Sequence, residues 1–320
     1  MKYIHRLRAV KPLRWAGWAS LPLFPLFFCL VLEYYNAGDL AALAAFWRLH
    51  TPQAVFGLLV SCALFALVLL LVRRAAVACA LTGGASLLIA FVHSMKLALN
   101  GDPFFPKDVF MAGEAGSLLS FLSGGLPKYM ALAALLLALW CAGLALLGLR
   151  LPLRRTDWLF WAASALSLSV VLCSSPARVA RLLERFSIYT EFTMLQSLNY
   201  EENGFLGAFI LNLNNMHLQP PGGYSRDYVE RLLDRYEAVP AAEEAFDVIL
   251  VLSESFCDLR ELPGLTFSRN PLPRYDELLR RDNCYSGTLY TNAVGGGTVR
   301  PEFEVLTGLS TEVLPDGATP

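Results

Sequence analysis

Five long apolar runs within the first 175 residues constrain this chain more than any other feature of its sequence. A helix of ~20 apolar residues crosses the ~30 Å hydrocarbon core of a bilayer. A cleavable signal peptide would be followed by a soluble protein, whereas four more apolar runs follow the first one here. With 55% hydrophobic and 17% charged residues, the chain falls outside the soluble, disordered, collagen-like and nucleic-acid-binding classes. We predict five membrane spans, at Trp15 to Tyr35, Pro52 to Val72, Ala75 to Met95, Tyr129 to Leu149 and Trp158 to Cys173.

The basic residues indicate how these spans are oriented. With the N-terminus in the cytoplasm, ten Lys and Arg residues fall in cytoplasmic segments and four in outer loops. This bias favours a cytoplasmic N-terminus, and an odd number of spans then puts the C-terminal half outside. Arg178, Arg181 and Arg185 run against the bias, although long translocated domains obey the rule weakly. We predict a multi-pass protein of the cell membrane with an extracytoplasmic C-terminal domain.

The charge balance divides the chain into two unlike halves. Residues 1–175 carry 14 basic and 6 acidic residues, whereas residues 176–320 carry 12 basic and 21 acidic ones. The strongest linker signal is the Gln-Pro-Pro-Gly-Gly stretch that begins at Gln219. We predict a transmembrane domain over 1–175, a juxtamembrane helical linker over 176–221 and an incomplete extracytoplasmic α/β domain over 222–320.

Ionisable side chains are scarce in the predicted spans. Glu33 and His93 lie near span ends, where both can reach the headgroup region, so we interpret them as interfacial side chains. The uncharged span centres argue against an ion-coupled transporter. The outer loop from Lys96 to Phe110 is rich in Pro and Phe, which predicts a rigid interfacial turn. That turn is either a simple hairpin or a platform that presents lipid headgroups to the outer domain.

Helix signals follow the last predicted span. Apolar residues recur at helical spacing from Arg178 to Asn199, which predicts a helix along the membrane or under the outer domain. The stretch Asn203-Gly-Phe-Leu-Gly is predicted to end this region. Ser225 is placed to cap a second helix that runs to about Arg235.

The first candidate for chemistry is the segment FDVILVLSES, from Phe246 to Ser255. A continuous apolar run rich in Val and Ile predicts a strand that is buried on both faces of a parallel sheet. Glu254 would then lie at the carboxyl end of the strand, the edge at which α/β sheets bind ligands. A lone carboxylate in that position is also an ordinary surface residue.

The second candidate is Thr298, which follows three glycines. The glycines let the backbone approach a ligand closely, and Thr298 is predicted at the start of a helix from Val299 to Thr307. Pro301 suits the first turn of that helix, and Gly308 closes it. Free N–H groups would favour an anion there, and a metal could activate the hydroxyl. The plainer interpretation is a threonine N-cap after a flexible turn.

Together these segments resemble a specific family. The strings FDVILVLSESFCD (Phe246 to Asp258) and GGGTVRPEFEVLTG (Gly295 to Gly308), on an outer domain behind five spans, are similar to those of the lipoteichoic acid synthase and phosphoglycerol transferase family, within the alkaline phosphatase and sulfatase superfamily. The resemblance extends to GDPFFPKD (Gly101 to Asp108) and NGFLG (Asn203 to Gly207). It implies a multi-pass α-helical membrane domain followed by the start of an α/β sulfatase-like domain.

The resemblance also implies a reaction. Thr298 matches the family's nucleophile, and Glu254 matches a ligand of a divalent metal, usually manganese, which would stabilise the Thr298 alkoxide. Thr298 would attack the phosphorus of phosphatidylglycerol and hold the phosphoglycerol group covalently. A hydroxyl of a glycan or polyglycerolphosphate acceptor would then take the group. Phosphoethanolamine transfer stays open because relatives with that activity also use a Thr, whereas sulfatase activity is disfavoured because Thr298 cannot become a formylglycine.

The chain departs from the family pattern after Thr298. Family members complete the metal site with an Asp-His pair and further His and Arg residues, whereas all four histidines here precede the motif. A catalytic metal needs three or more protein ligands. We therefore expect an N-terminal fragment of a longer enzyme, inactive by itself; the alternative is a non-catalytic membrane accessory or lipid-binding protein. Cys257 and Cys284 could pair outside the cytoplasm or stay free.

Overall fold

A computed structural model describes residues 10–109, 127–189, 196–216, 222–235, 247–253, 256–290 and 299–312. These residues form α-helices and short 3-10 helices, and no β-strand occurs among them. The chain divides into two units between Leu218 and Gln219. Our finer division into three parts stays a prediction.

The first unit is a helical membrane domain. Four of its stretches are long and apolar enough to cross a membrane, among the residues that are described. They are Lys11–Ala37, Thr51–Val72, Ala75–Leu99 and Met130–Leu147. The helices from the start of this unit are α1 (Lys11–Ser20), α2 (Leu23–Ala37), α3 (Leu40–Leu49), α4 (Thr51–Val72), α5 (Ala75–Asn100), α6 (Met130–Leu147) and α7 (Arg155–Cys173).

Within the described ranges, four stretches rather than the predicted five have the length and apolar composition of a membrane span. The fifth predicted span, Trp158 to Cys173, falls in α7, which is not among the four apolar stretches. Polar residues lower the mean hydropathy of this helix: Asp157 lies in its first turn, and serines recur through its middle. One of them, Ser169, donates a hydrogen bond back to the Ala165 carbonyl at 2.9 Å, the usual way for a helical serine to satisfy its hydroxyl in apolar surroundings.

The helices of this unit pack through large aromatic side chains against small residues. Gly83 of α5 lies so close to α6 and α2 that a Cβ atom there would be 2.5 Å from the Leu137 side chain and 3.0 Å from that of Phe24. Phe24 in turn meets the Trp140 ring edge-on, with centroids 5.3 Å apart. Membrane helices associate through such close packing, since lipid offers no hydrophobic driving force between them.

The two ends of the helix bundle carry different chemistry. We call one the basic end, because Lys11, Arg14, Arg73, Arg74, Arg150 and Arg154 lie there. We call the other the polar end, defined by Glu33, His93, Lys96, Asp108 and Tyr200. Two further helices, α8 (Pro176–Arg185) and α9 (Gln196–Asn215), follow among the described residues.

The single helix that we predicted from Arg178 to Asn199 is wrong. Helix α8 ends at Arg185, and Ser187 adopts a positive φ of 56° that no α-helix permits. The chain turns there because Phe186 packs on Phe56 of α4, with ring centroids 5.2 Å apart. The NGFLG segment does not end a helix either, since it lies inside α9, where Gly204 forms a kink with φ 71° and ψ 167°.

The second unit contains three short helices among its described residues, α10 (Arg226–Leu233), α11 (Pro273–Leu279) and α12 (Val299–Thr307). The predicted cap of α10 is confirmed, because the Ser225 hydroxyl accepts the Tyr228 N–H at 3.2 Å. The end predicted for α12, at Thr307, is also confirmed. Gly308 closes that helix with a φ of +70° and donates its N–H to the Glu304 carbonyl at 2.8 Å.

The predicted buried strand is wrong for residues 247–253, the part of it that is described. These residues are unpaired, and the side chains of Val248, Ile249 and Val251 are 78%, 86% and 79% exposed. A strand in a parallel sheet is held by hydrogen bonds to its neighbours, and no described residue pairs with this segment. The described part of the second unit therefore contains no α/β sheet.

Candidate functional site

The two residues predicted to carry the chemistry, Glu254 and Thr298, lie outside the described residues. The helix predicted to follow Thr298 is formed, and its far end is anchored. The Glu304 carboxylate accepts both the backbone N–H of Thr311 at 2.6 Å and its hydroxyl at 2.8 Å, which folds the chain after Gly308 back onto α12.

The described residues do not fit a complete metal site. Among them, no group of three or more His, Cys, Asp or Glu residues is arranged to hold a metal ion. Cys257 and Cys284 are free thiols. A cation held by Glu254 and Thr298 would need further ligands from elsewhere, because a catalytic metal takes three or more from protein.

The polar end of the first unit brings together a set of residues that sequence reasoning did not combine. Glu33 of α2 is only 2% exposed. Its two carboxylate oxygens both accept the backbone N–H of Phe205, each at 3.0 Å. Because Phe205 follows the kink in α9, this N–H belongs to a new helical start, where N–H groups lack intrahelical partners and negative charge is favoured. The carboxylate thus fixes α9 onto α2.

Gly204 is required for this contact. A Cβ atom at Gly204 would lie 2.6 Å from the Phe46 ring and 2.9 Å from Oε1 of Glu33. Its backbone conformation, with φ 71° and ψ 167°, is also one that essentially only glycine adopts. The Asn36 side chain strengthens the contact by donating to the Tyr200 carbonyl at 2.7 Å.

His93 joins the loop after α5 to the same cluster. Its ring is completely buried, and Nδ1 accepts the Phe104 N–H at 3.1 Å. A neutral imidazole then carries its proton on Nε2, which is buried without a partner among the described residues. Tyr200 stacks on His93 with centroids 5.7 Å apart and donates its hydroxyl to the Phe104 carbonyl at 2.6 Å. Burial raises the pKa of Tyr200, so this hydroxyl remains a donor.

Amide side chains lock the two halves of α9 together. Gln196 Oε1 accepts hydrogen bonds from both Asn199 and Asn212, each at 3.0 Å. Asn203 donates to Asn199 at 2.8 Å and to the Tyr189 carbonyl at 2.8 Å. Buried amides with satisfied partners specify one geometry for the kinked helix.

Two lysines lie against one aromatic ring at this end. The ammonium groups of Lys96 and Lys107 are 5.0 Å and 5.3 Å from the Phe105 centroid. Lys96 also pairs with Asp108 at 2.5 Å, and the same carboxylate oxygen accepts the Phe105 N–H at 2.7 Å. These contacts hold the two ammonium groups beside Phe105, with the charge of Lys96 balanced by Asp108.

The interfacial interpretation of Glu33 and His93 is therefore wrong, since both are buried by residues far away in sequence. The expectation that the loop's Phe side chains lie in the membrane interface is also wrong for Phe104, which is buried and stacks on Phe209 with centroids 6.0 Å apart. A sequence signal for the cluster did exist. The strings GDPFFPKD and NGFLG, noted only as part of the resemblance, supply its main contacts.

Comparison with known proteins finds sequence similarity to a protein that is named for glucan modification. No protein-family model matches the chain, and no solved structure matches it. The chain is 30% identical over 241 residues to a protein of Rhizobium meliloti (strain 1021) that is named "Putative cyclic beta-1,2-glucan modification protein". The match covers 72% of this chain and 36% of the relative, so the chain spans about a third of the relative's length. The chain is thus a helical membrane protein with similarity to a protein named for glucan modification.

Proposed function

We propose that this chain is the membrane-anchored part of a transferase that moves phosphoglycerol, or a related phosphate-linked headgroup, from a phospholipid to an extracytoplasmic glucan. The observation that carries the proposal is the similarity to the Rhizobium meliloti protein, because its name supplies the acceptor class. The strings that resemble the phosphoglycerol transferase family supply the chemistry and favour phosphatidylglycerol as the donor. The proposed acceptor is a hydroxyl of a cyclic β-1,2-glucan.

Thr298 is the proposed nucleophile. Its Oγ attacks the phosphorus of phosphatidylglycerol, the Oγ–P bond forms, and the P–O bond to diacylglycerol breaks. The threonine proton ends on the hydroxyl of the released diacylglycerol. A glucan hydroxyl then attacks the same phosphorus, the Oγ–P bond breaks, and Thr298 regains a proton. Glu254 and Thr298 would also hold a divalent cation such as Mn²⁺, which would supply positive charge to stabilise the Thr298 alkoxide.

Contacts within the first unit support an extracytoplasmic location for the residues after α7. At the start of α7, the Trp158 indole donates to the Leu70 carbonyl, close to the basic end of α4. After α8, the Ser187 carbonyl accepts a hydrogen bond from Gln53 at 3.0 Å, close to the polar end of α4. The chain therefore passes from the basic end to the polar end between residues 158 and 187. Because basic residues mark the cytoplasmic side, the polar end is the proposed outer one.

The polar end is a suitable place for the lipid donor. It carries Lys96 and Lys107 and the buried imidazole of His93, and α8 presents exposed Arg181 and Arg185 beside it. Lysine and arginine side chains at the headgroup level attract anionic lipids. These residues would raise the local concentration of phosphatidylglycerol on the side where Thr298 is proposed to act.

The test is a single substitution in the chromosomal gene, so that the protein is studied as its own cell makes it. In cells carrying Thr298→Ala, extracytoplasmic glucans should lose phosphoglycerol, measured by mass spectrometry and ³¹P NMR. Thr307→Ala is the matched control, since Thr307 is the last residue of α12 and its hydroxyl makes local contacts, donating to the Phe303 carbonyl and accepting the Leu309 N–H. Thr298→Ser should retain part of the modification because serine keeps a nucleophilic hydroxyl.

Each alternative gives a different result in this experiment. If the glucans of Thr298→Ala cells lose phosphoethanolamine instead of phosphoglycerol, the transferred headgroup is phosphoethanolamine and the proposed mechanism stands. Unchanged glucans in Thr298→Ala, with normal protein abundance in the membrane, would reject Thr298 as nucleophile and leave the accessory lipid-binding protein as the better account.

A further inference from the structure

We propose a second phosphate site at the basic end of the first unit, where Arg74 and Arg150 bind the headgroup of an anionic phospholipid. The segments around these residues pair as an isolated antiparallel bridge. Ala75 donates its N–H to the Leu149 carbonyl at 3.2 Å, and Leu151 donates to the Arg73 carbonyl at 3.0 Å. These bonds flank Arg74 and Arg150, which therefore face each other as a non-hydrogen-bonded pair. Such pairs hold their Cβ atoms on one face, ~4.5–5.5 Å apart.

The backbone cannot separate the two arginines. Ala75 and Leu149 on either side of the bridge are buried in the apolar core formed with Phe24 and Leu137. The neighbouring Arg73 is already engaged, because its guanidinium donates to the Leu153 carbonyl and lies 5.5 Å from the Trp158 ring centroid. Rigid packing therefore keeps two positive side chains opposite each other.

Like charges directly opposite in a bridge repel each other. Neither Arg74 nor Arg150 has an ion pair within the ranges that the structure describes. Lys11, Arg14 and Arg154 add further positive charge at this end, and Asp157 is the acidic residue that follows in sequence. An anion between the guanidinium groups would replace the repulsion by charge-assisted hydrogen bonds, which arginine makes well to phosphate.

The position of the pair favours a lipid phosphate. Arg74 directly precedes the 26-residue helix α5, and the N-terminus of a long helix favours an anion. The apolar run of α4 ends at Val72, and that of α6 ends at Leu147. The bridge thus begins at the edge of the hydrocarbon layer, where the phosphates of membrane lipids lie. This site is at the opposite end of the bundle from the proposed donor position, and it does not depend on the proposed transfer.

The site is tested with the full chain purified in a neutral detergent. Thermal unfolding and native mass spectrometry are followed with added phosphatidylglycerol, phosphatidylcholine or free glycerol 3-phosphate. The variant Arg74→Gln with Arg150→Gln removes the pair. Its matched control is Arg48→Gln with Lys128→Gln, which removes two exposed positive charges at the other end. If the double variant does not fold, the same lipid-binding measurements are made on Arg150→Gln alone, since Arg150 is exposed.

We expect phosphatidylglycerol to raise the melting temperature of the wild type and of the control more than phosphatidylcholine does. The Arg74 and Arg150 variant should bind phosphatidylglycerol about tenfold more weakly or worse. Without lipid, the melting temperature of this variant should equal or exceed that of the wild type, because the two positive charges no longer repel each other. The proposed site would be rejected if both lipids raised the melting temperature equally. It would also be rejected if phosphatidylglycerol raised the melting temperature of the variant as much as that of the wild type. The same shift from glycerol 3-phosphate would overturn the choice of a lipid.

Discussion

The two units of the chain differ most in how their polar residues are used. In the first, Glu33, His93 and Tyr200 are buried and join segments that are far apart in sequence. In the second, Thr311 is the buried residue among those described. Its polar side chains mainly make local contacts, such as the Ser225 cap and the pairing of Arg260 with Asp258 and Asp276.

The difference shows which unit already holds its own geometry. The first is specified by long-range contacts that allow one arrangement of α2, α5 and α9. The second exposes the apolar residues Val248 to Leu252, and an apolar run of this kind is stable in water only when other strands cover it. We therefore expect another apolar surface to cover these residues in the cell.

The two units should also be distinguishable by location, and this difference carries the largest expected effect. A reporter that is active only outside the cytoplasm should be active when fused after Pro221 and inactive when fused after Arg74. The expected outcome is all or none, because in the proposed orientation α7 and α8 take the chain from the cytoplasmic basic end to the outer polar end. The opposite pattern would place the second unit in the cytoplasm and would reject the proposed orientation.

The contact between α9 and α2 should fail on adding one methyl group. Gly204→Ala forces a side chain between Phe46 and Glu33 at a backbone conformation reserved for glycine. We expect a loss of about 3 kcal/mol or more in the free energy of unfolding, measured by thermal or chemical denaturation in detergent. The control Gly101→Ala has a similar φ of +73° with open space around it, and should cost only about 1 kcal/mol. Equal losses would show that Gly204 makes no special contact.

The charge on Glu33 should matter because its carboxylate is buried and bonded. Glu33→Gln keeps the shape but replaces one acceptor oxygen by a donor that faces the Phe205 N–H. Hydrogen bonds to charged groups contribute ~1.5–3 kcal/mol, and we expect a loss within this range. Glu184→Gln removes an exposed carboxylate of α8 and should change stability by less than ~0.5 kcal/mol. A neutral effect of Glu33→Gln would mean that the carboxylate does not hold α9.

The sequence predicted local features of both units well. The four long apolar helices lie within a few residues of their predicted positions, and α12 ends where it was predicted to end because Gly308 closes it locally. The burial of Glu33 and His93 could not be predicted in this way. Each depends on a partner more than ten residues away, Phe205 and Phe104 respectively. The strand at 247–253 failed for the same reason, since a strand exists only with its neighbours.

A smaller effect is expected from the exposed ion pairs of the second unit. Hydrogen bonds from Arg260, and then from Asn270, lower the pKa of Asp276 to about 2. Because this pKa is lower in the folded state, the stabilisation is complete above the ordinary carboxyl pKa and is lost as the pH falls through about 2. The NMR titration of the Asp276 carboxyl should show this low pKa, and Arg260→Gln should return it towards the ordinary value. A normal pKa in the wild type would contradict the pairing.

The central claim is that Thr298 carries the headgroup covalently, and trapping that intermediate tests it most directly. Cells that make the protein but lack the glucan acceptor should accumulate phosphoglycerol on Thr298, detected by mass spectrometry of the peptide that contains this residue. Supplying the glucan should discharge the modified residue. Glucans that receive phosphoglycerol while Thr298 stays unmodified, or while Thr298→Ala works as well as the wild type, would contradict the account.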